Sequence, residues 1–162
     1  VPRILRFGAC KKGLAMNRSR QFQLIINSGD VLLCDFGPDP REPGIYPLMS
    51  GPISVPPEMI KRRQVVVIST ASAGLAIIAP FSTNQPAPLK PYHHFIPAGC
   101  YPFFSKDSWL KGDMLQVVSR ARLDRLFFDG RHQRAALSKA DYRAVRASAL
   151  AGLGLSTLAG YL

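Results

Sequence analysis

Seven prolines fall between Gly37 and Arg63: Pro38, Pro40, Pro43, Pro47, Pro52, Pro56 and Pro57. Proline fixes φ and removes a backbone donor, so neither a central strand nor a long helix fits this stretch. The fold has to be assembled from short elements on either side of a long loop. In a chain of 162 residues such a loop is expected to serve function or to lack structure of its own.

The flanking segments have strand character. Val31-Leu32-Leu33-Cys34-Asp35-Phe36 is an apolar run entered through Gly29-Asp30. Gln64-Val65-Val66-Val67-Ile68-Ser69 is β-branched, a composition that suits a pleated surface. A small-residue turn over 71–74 leads to Leu75-Ala76-Ile77-Ile78-Ala79, which Pro80 is expected to end, and together these predict an antiparallel hairpin. A Pro-rich turn, Pro86–Pro91, leads to a further strand expected at Tyr92–Ile96, and another is expected at Met114–Val118. The end of the chain reads as helical. Ser138 followed by Asp141 is a capping signal, and Tyr142, Val145, Ala149 and Leu153 recur at helical spacing. Five or six short strands and one late helix predict a mainly β fold, a small barrel with a C-terminal helix, rather than alternating βαβ units.

The charge narrows the partners. There are 21 Lys and Arg against 10 Asp and Glu, a formal net charge of +11, which attracts polyanions or an acidic protein. Six of the basic residues, Arg3, Arg6, Lys11, Lys12, Arg18 and Arg20, lie within residues 1–28, which hold no acid. Without them 15 basic residues face 10 acidic ones, a net of +5. The division expected is therefore a basic arm over 1–28 and a folded domain over 29–162. Met16 is a plausible translation start inside the arm.

Cys10, Cys34 and Cys100 are odd in number and widely spaced, which argues against a disulfide framework or a zinc site and fits a reducing cytoplasm. No apolar leader is evident at the N-terminus. Ala147–Leu162 is apolar but holds Gly152, Gly154 and Gly160 and falls short of the ~20 residues a spanning helix needs, so a helix end with a floppy tail is expected rather than an anchor.

In this order the segments resemble the MazF/PemK family of type II toxin–antitoxin systems. Gly29–Pro38 is similar to that family's opening strand, Arg63–Ser69 to its second, Pro80-Phe81-Ser82-Thr83 to its Pro-x-Thr turn, and Trp109-Leu110-Lys111-Gly112-Asp113 through Arg125-Leu126 to its late strand. Together they cover roughly residues 29–155. Gln64 stands where the family usually has proline, Ser82 where it has threonine, and the proline loop is longer than usual. The resemblance implies an SH3-like barrel of the CcdB/PemK type, acting as a homodimer. It implies a sequence-selective endoribonuclease that cuts single-stranded RNA through the ribose 2′-hydroxyl, with no cofactor or metal. It implies a small acidic antitoxin, with contact to DNA only through the antitoxin complex, and a cytoplasmic location. Two rivals stay open: a non-enzymatic toxin of the same fold that binds DNA gyrase, and an inactive nucleic-acid-binding module.

That chemistry needs a group to take the 2′-proton, one to stabilise charge on the phosphorane, and one to help the 5′-oxygen leave. Arg63 is the first candidate, since a guanidinium clamps two phosphate oxygens and is never neutral. Asp113 and Lys111, two apart on a strand, would share a face as base and phosphate anchor, or else form a solvated ion pair on a surface turn. Ser82 supplies a hydroxyl for a phosphate, with Thr83 beside it. Glu58, Lys61, Arg62, Thr83 and Gln116 complete the expected RNA contacts. Of His93 and His94, adjacent on a strand, at most one can face a cleft. Trp109 can stack on a base or anchor a core. Arg120, Arg122 and Arg125 can meet the RNA backbone or water.

Overall fold

The computed structural model describes residues 24–37 and 57–162. The expected arm, up to residue 23, and the proline loop over 38–56 lie outside the described residues. The ends of that loop are pinned together: Phe36 N–H donates to Lys61 O at 3.1 Å and Lys61 N–H to Gly37 O at 2.7 Å.

Among the described residues the chain runs β1 (Asp30–Asp35), β2 (Arg62–Ser69), β3 (Leu75–Ser82), β4 (His93–Ile96), β5 (Ser108–Lys111), β6 (Gln116–Ser119), a 3-10 turn at Arg120–Arg122, β7 (Leu123–Phe128), β8 (Arg131–Gln133) and β9 (Ala135–Ala136). Then follow α1 (Lys139–Gly152) and a second 3-10 turn, Ser156–Tyr161. The β2–β3 hairpin stands where β-branched residues predict it. Against expectation, β3 runs on through Pro80 to Ser82. Pro80 pairs with Val65 of β2, and on its other side β3 changes neighbour there, from β6 (as far as Ile78) to β5 (from Phe81). The missing N–H thus falls in a gap between ladders, where it costs little. The C-terminal tail, expected to be floppy, forms its own 3-10 turn. No described helix is long and apolar enough to cross a membrane.

The ladders are antiparallel and run β4-β5-β3-β2-β1-β7-β8, with β6 on β3 and β9 on β1. This sheet cannot be flat. In the order β6-β3-β2-β1-β7 the outer strands would stand ~19 Å apart in a plane, at about 4.8 Å per strand. Yet four residue steps, ~14 Å at full stretch, connect Ser119 to Leu123. The sheet rolls instead, and alternation gives each face a core. The inner one holds Leu32, Cys34, Val65, Val67, Ile78, Val118 and Leu123, with Ile26 added from the segment before β1. The outer one holds Val31, Val66, Ala79, Phe81, Ile96 and Leu110, covered by Phe104 and by Val145 of α1. Among the described residues no ladder joins the two ends of the path. The fold is mainly β with a C-terminal helix, as the sequence predicts.

The Gly29-Asp30 pair acts as an anchor. Gly29 takes a φ of 87° and donates its N–H to Val67 O at 2.8 Å. The buried Asp30 carboxylate binds Arg134 Nε at 2.9 Å and accepts the Asn27 N–H at 2.9 Å. Arg134→Ala strands a buried carboxylate and is expected to cost about 3 kcal/mol in urea unfolding. Adding Asp30→Asn should recover part of that loss. A double variant no more stable than Arg134→Ala alone would show that the buried charge is not the cause.

Candidate functional site

Strand register decides which candidate residues meet. In the β2–β3 ladder Val65 faces Pro80. The paired rungs end there; carrying the register on by two residues sets Arg63 of β2 level with Ser82 of β3. Ser82 pairs with Trp109 of β5, and Trp109 with Phe95 of β4. One row across the sheet therefore reads Arg63, Ser82, Trp109, Phe95. Direct cross-strand partners share a face, and here it is the inner face, beyond the rim of its core. In the next row Lys111 pairs with His93 on the same face.

Arg63 is exposed, and its Nε–H donates to Ile60 O at 3.3 Å, which fixes the base of the guanidinium near the surface. Ser82 is half-buried. Its Oγ accepts the Asn84 N–H at 3.2 Å, which leaves the hydroxyl proton to be donated elsewhere. Thr83 is exposed on the turn after β3. Lys111 ends β5, half-buried. Asp113 does not share its strand: Lys111 to Met114 is a turn closed by Met114 N–H to Lys111 O at 3.1 Å, so the two-residue alternation assumed for this pair does not apply. Both residues still act on His93, whose pKa is lowered first by burial and then by Lys111, with Asp113 opposing. Its Nδ1 accepts the Lys90 N–H at 3.1 Å, so the neutral ring carries its proton on Nε2.

The remaining candidates disperse. Arg62 alternates with Arg63 onto the outer face and pairs with Asp124 at 2.7 Å, both well exposed. Gln116 lies on the inner face beside Ile78, which faces Val67. That is four residues along the strands from Arg63, ~13 Å at the strand rise, and two strands across, about 10 Å more sideways. Glu58 and Lys61 are exposed in the approach to β2, with Lys61 at a φ of 65°. Arg120 binds the carbonyls of Thr70, Ser72 and Leu75 at 2.9, 3.4 and 3.1 Å, and Arg122 that of Asp35 at 3.1 Å. These two basic side chains hold backbone in place. Gln64 donates from Nε2 to Phe103 O at 2.9 Å, a bond proline cannot make. Cys34 is buried in the inner core, which pushes its thiol up to about 12.

A polar cluster that the sequence does not reveal seats the helix. His94, on the face opposite His93, lies with Nε2 3.4 Å from Asp141 Oδ1. Tyr101 donates its hydroxyl to Asp141 Oδ2 and accepts the Ser138 N–H at 2.8 Å. Ser138 caps α1 by accepting the Asp141 N–H at 3.1 Å, as the capping signal predicts. The Tyr101 bond is the main cause holding the Asp141 carboxyl below its ordinary range. A depressed carboxyl stabilises the fold above its unfolded pKa, and the benefit fades as pH falls through the folded one. Tyr101→Phe is thus expected to cost ~1–3 kcal/mol at neutral pH. The gap to the parent should narrow on acidification below the carboxylate range. A gap independent of pH would remove Asp141 from the explanation.

Residues 27–151 match the sequence profile of the PemK-like, MazF-like toxin of type II toxin–antitoxin systems. The chain belongs to this family. A Haemophilus influenzae protein described as uncharacterized is 32% identical over 108 residues, covering 63% of this chain and 71% of that one. The Escherichia coli K12 protein YifN is 37% identical over 112 residues, covering 60% and 70%. Among solved structures, an endoribonuclease in complex with its cognate antitoxin, from a mycobacterial species, superposes with a TM-score of 0.51 at 12% identity, over 81% of this chain and 97% of that one. The rolled antiparallel sheet with its C-terminal helix is therefore a MazF-like fold.

Proposed function

We propose that this MazF-like toxin is an endoribonuclease that cuts single-stranded RNA through the ribose 2′-hydroxyl. The observation that carries the reading is the row Ser82, Trp109, Phe95 with Lys111 in the adjoining row, and the exposed Arg63 in line with Ser82 where the β2–β3 register is carried past Val65 and Pro80. A cation in forked geometry beside a hydroxyl donor suits a phosphate that gains negative charge in the transition state. Arg63 stabilises that charge, Ser82 donates to a phosphate oxygen, and Lys111 anchors the neighbouring phosphate. Asp113, on its exposed turn, is the candidate to accept the 2′-proton. Lys61 and Thr83 contact the strand on either side, Glu58 approaches from the loop, Arg62 contributes field rather than contact, and Gln116 lies too far down the sheet to touch this phosphate. The attacking oxygen belongs to the RNA, so the route requires no metal. The products are a 2′,3′-cyclic phosphate and a 5′-hydroxyl.

The relative solved with its antitoxin supports a corresponding partner here, a small acidic protein laid over the same basic rim. A long single-stranded RNA incubated with the purified protein in excess EDTA tests the reading. Discrete cuts ending in cyclic phosphate are expected. RNA that is bound but uncut would sink the enzymatic reading and leave a binding module. RNA left intact alongside inhibited DNA gyrase would replace it with the non-enzymatic toxin of the same fold.

A further inference from the structure

Trp109 and Phe95 belong to neither core cluster among the described residues. Their rings lie 5.1 Å apart, inclined by 34°, directly across the β4–β5 ladder, and Phe95 is 45% exposed. The pair packs across the ladder rather than into either core. It extends the row that begins with Arg63 and Ser82, at two and three strand spacings, about 10 and 14 Å from Arg63. Lys111 and His93 border it one row in, the latter as a neutral ring with its proton on Nε2.

We propose that Trp109 and Phe95 form a base-stacking platform for single-stranded RNA, seating a base next to the phosphate held at Arg63 and Ser82. The identity of the ligand rests on the RNA-cleavage reading above; the platform itself is a separate claim about how that ligand is held. Charge and aromatic character point to the same occupant. A sugar–phosphate backbone follows the cationic side chains Arg63 and Lys111, and every base offers a π-face to the rings. An acidic peptide would satisfy the cations and leave the rings uncovered. A second copy of this chain would bring its own positive charge against them. His93 adds one donor at the platform's edge, suited to a base or sugar acceptor.

Trp109 is the chain's one tryptophan, so its fluorescence reports on the platform alone. The probe is a 2′-O-methyl oligonucleotide, which cannot be cut by its own 2′-oxygen, titrated into the full chain. Saturable quenching is expected, and an abasic sugar–phosphate oligomer of the same length should produce none. Trp109→Ala and Phe95→Ala should each weaken binding of the labelled oligonucleotide roughly 5- to 150-fold, while Trp109→Phe keeps most of the affinity. The salt dependence of binding should stay that of the parent, since no cation is removed. Circular dichroism checks that each variant is folded, and Phe95, being exposed, is the variant least able to disturb the fold.

Equal quenching by the abasic oligomer would overturn the platform. So would variants that bind and cut RNA as the parent does, a result that leaves the endoribonuclease reading standing. A tryptophan signal that changes with protein concentration in the absence of RNA would reassign the face to self-association. RNA neither bound nor cut by the parent would remove both claims together.

Discussion

Arg63→Ala is expected to lower the rate of RNA cleavage about 10²- to 10³-fold, the size of effect seen when one preorganised donor to a developing oxyanion is removed. The fold should be unaffected, because Arg63 is exposed and, among the described residues, gives up only its bond to Ile60 O. Arg63→Lys separates two accounts of the residue. If a positive charge near the phosphate is enough, lysine should restore most of the rate. If the planar fork matters, lysine should fall between arginine and alanine, since an ammonium is a point donor without two-pronged geometry. Single-turnover cleavage under saturating protein isolates the chemical step, and melting temperature controls for folding. An alanine variant that cuts at the parent rate would move the chemistry away from the Arg63–Ser82 row, and Lys111 and Asp113 would become the next pair to test. A loss confined to KM would assign Arg63 to uniform binding of substrate and transition state.

How much of this was legible beforehand follows from the range of each interaction. The β-branched run Val65–Ile68 and the Ser138–Asp141 cap are local signals, and the elements they predict are present. Pro80 misleads because its effect depends on which neighbour occupies the other edge of β3, and that neighbour is 28 or more residues away in sequence. Short strands such as β5 and β8 carry too few residues for a period to emerge and are fixed by their partners. The family resemblance selects Arg63, Ser82 and Lys111 from separate motifs; the register sets Ser82 and Lys111 on one face in adjoining rows, and its continuation brings Arg63 into line with Ser82. It gives no hint that Arg62 turns away to Asp124, or that Gln116 sits down the strand. Beyond that cap, the seat of the helix was not readable. Asp141 meets residues 47 and 40 positions away, and no motif links them.

The contact between helix and sheet also sets the second large effect expected. A Cβ placed on Gly152 would lie 2.1 Å from Gly112 O and 2.5 Å from Gly112 C, and one on Gly112 would lie 2.6 Å from Ser148 O and 2.7 Å from Tyr92 O. Every obstacle is backbone, so no side chain can swing aside, and α1 has to lift from the turn that carries Lys111 and Asp113. Gly152→Ala should therefore destabilise the protein by about 3 kcal/mol, at the upper end of what overpacking costs, despite the higher helix propensity of alanine. Gly160→Ala, with nothing within 4 Å of its Cβ, is the matched control and should be near neutral. Activity should fall too, since a shift of about 1 Å in a catalytic group is worth on the order of 100-fold in rate. The two readouts are separable. At a temperature where the Gly152→Ala protein remains folded, slow cleavage with normal RNA affinity would show that the helix positions the Lys111–Asp113 turn. Unchanged cleavage in a destabilised protein would confine its role to stability and remove that turn from the chemistry.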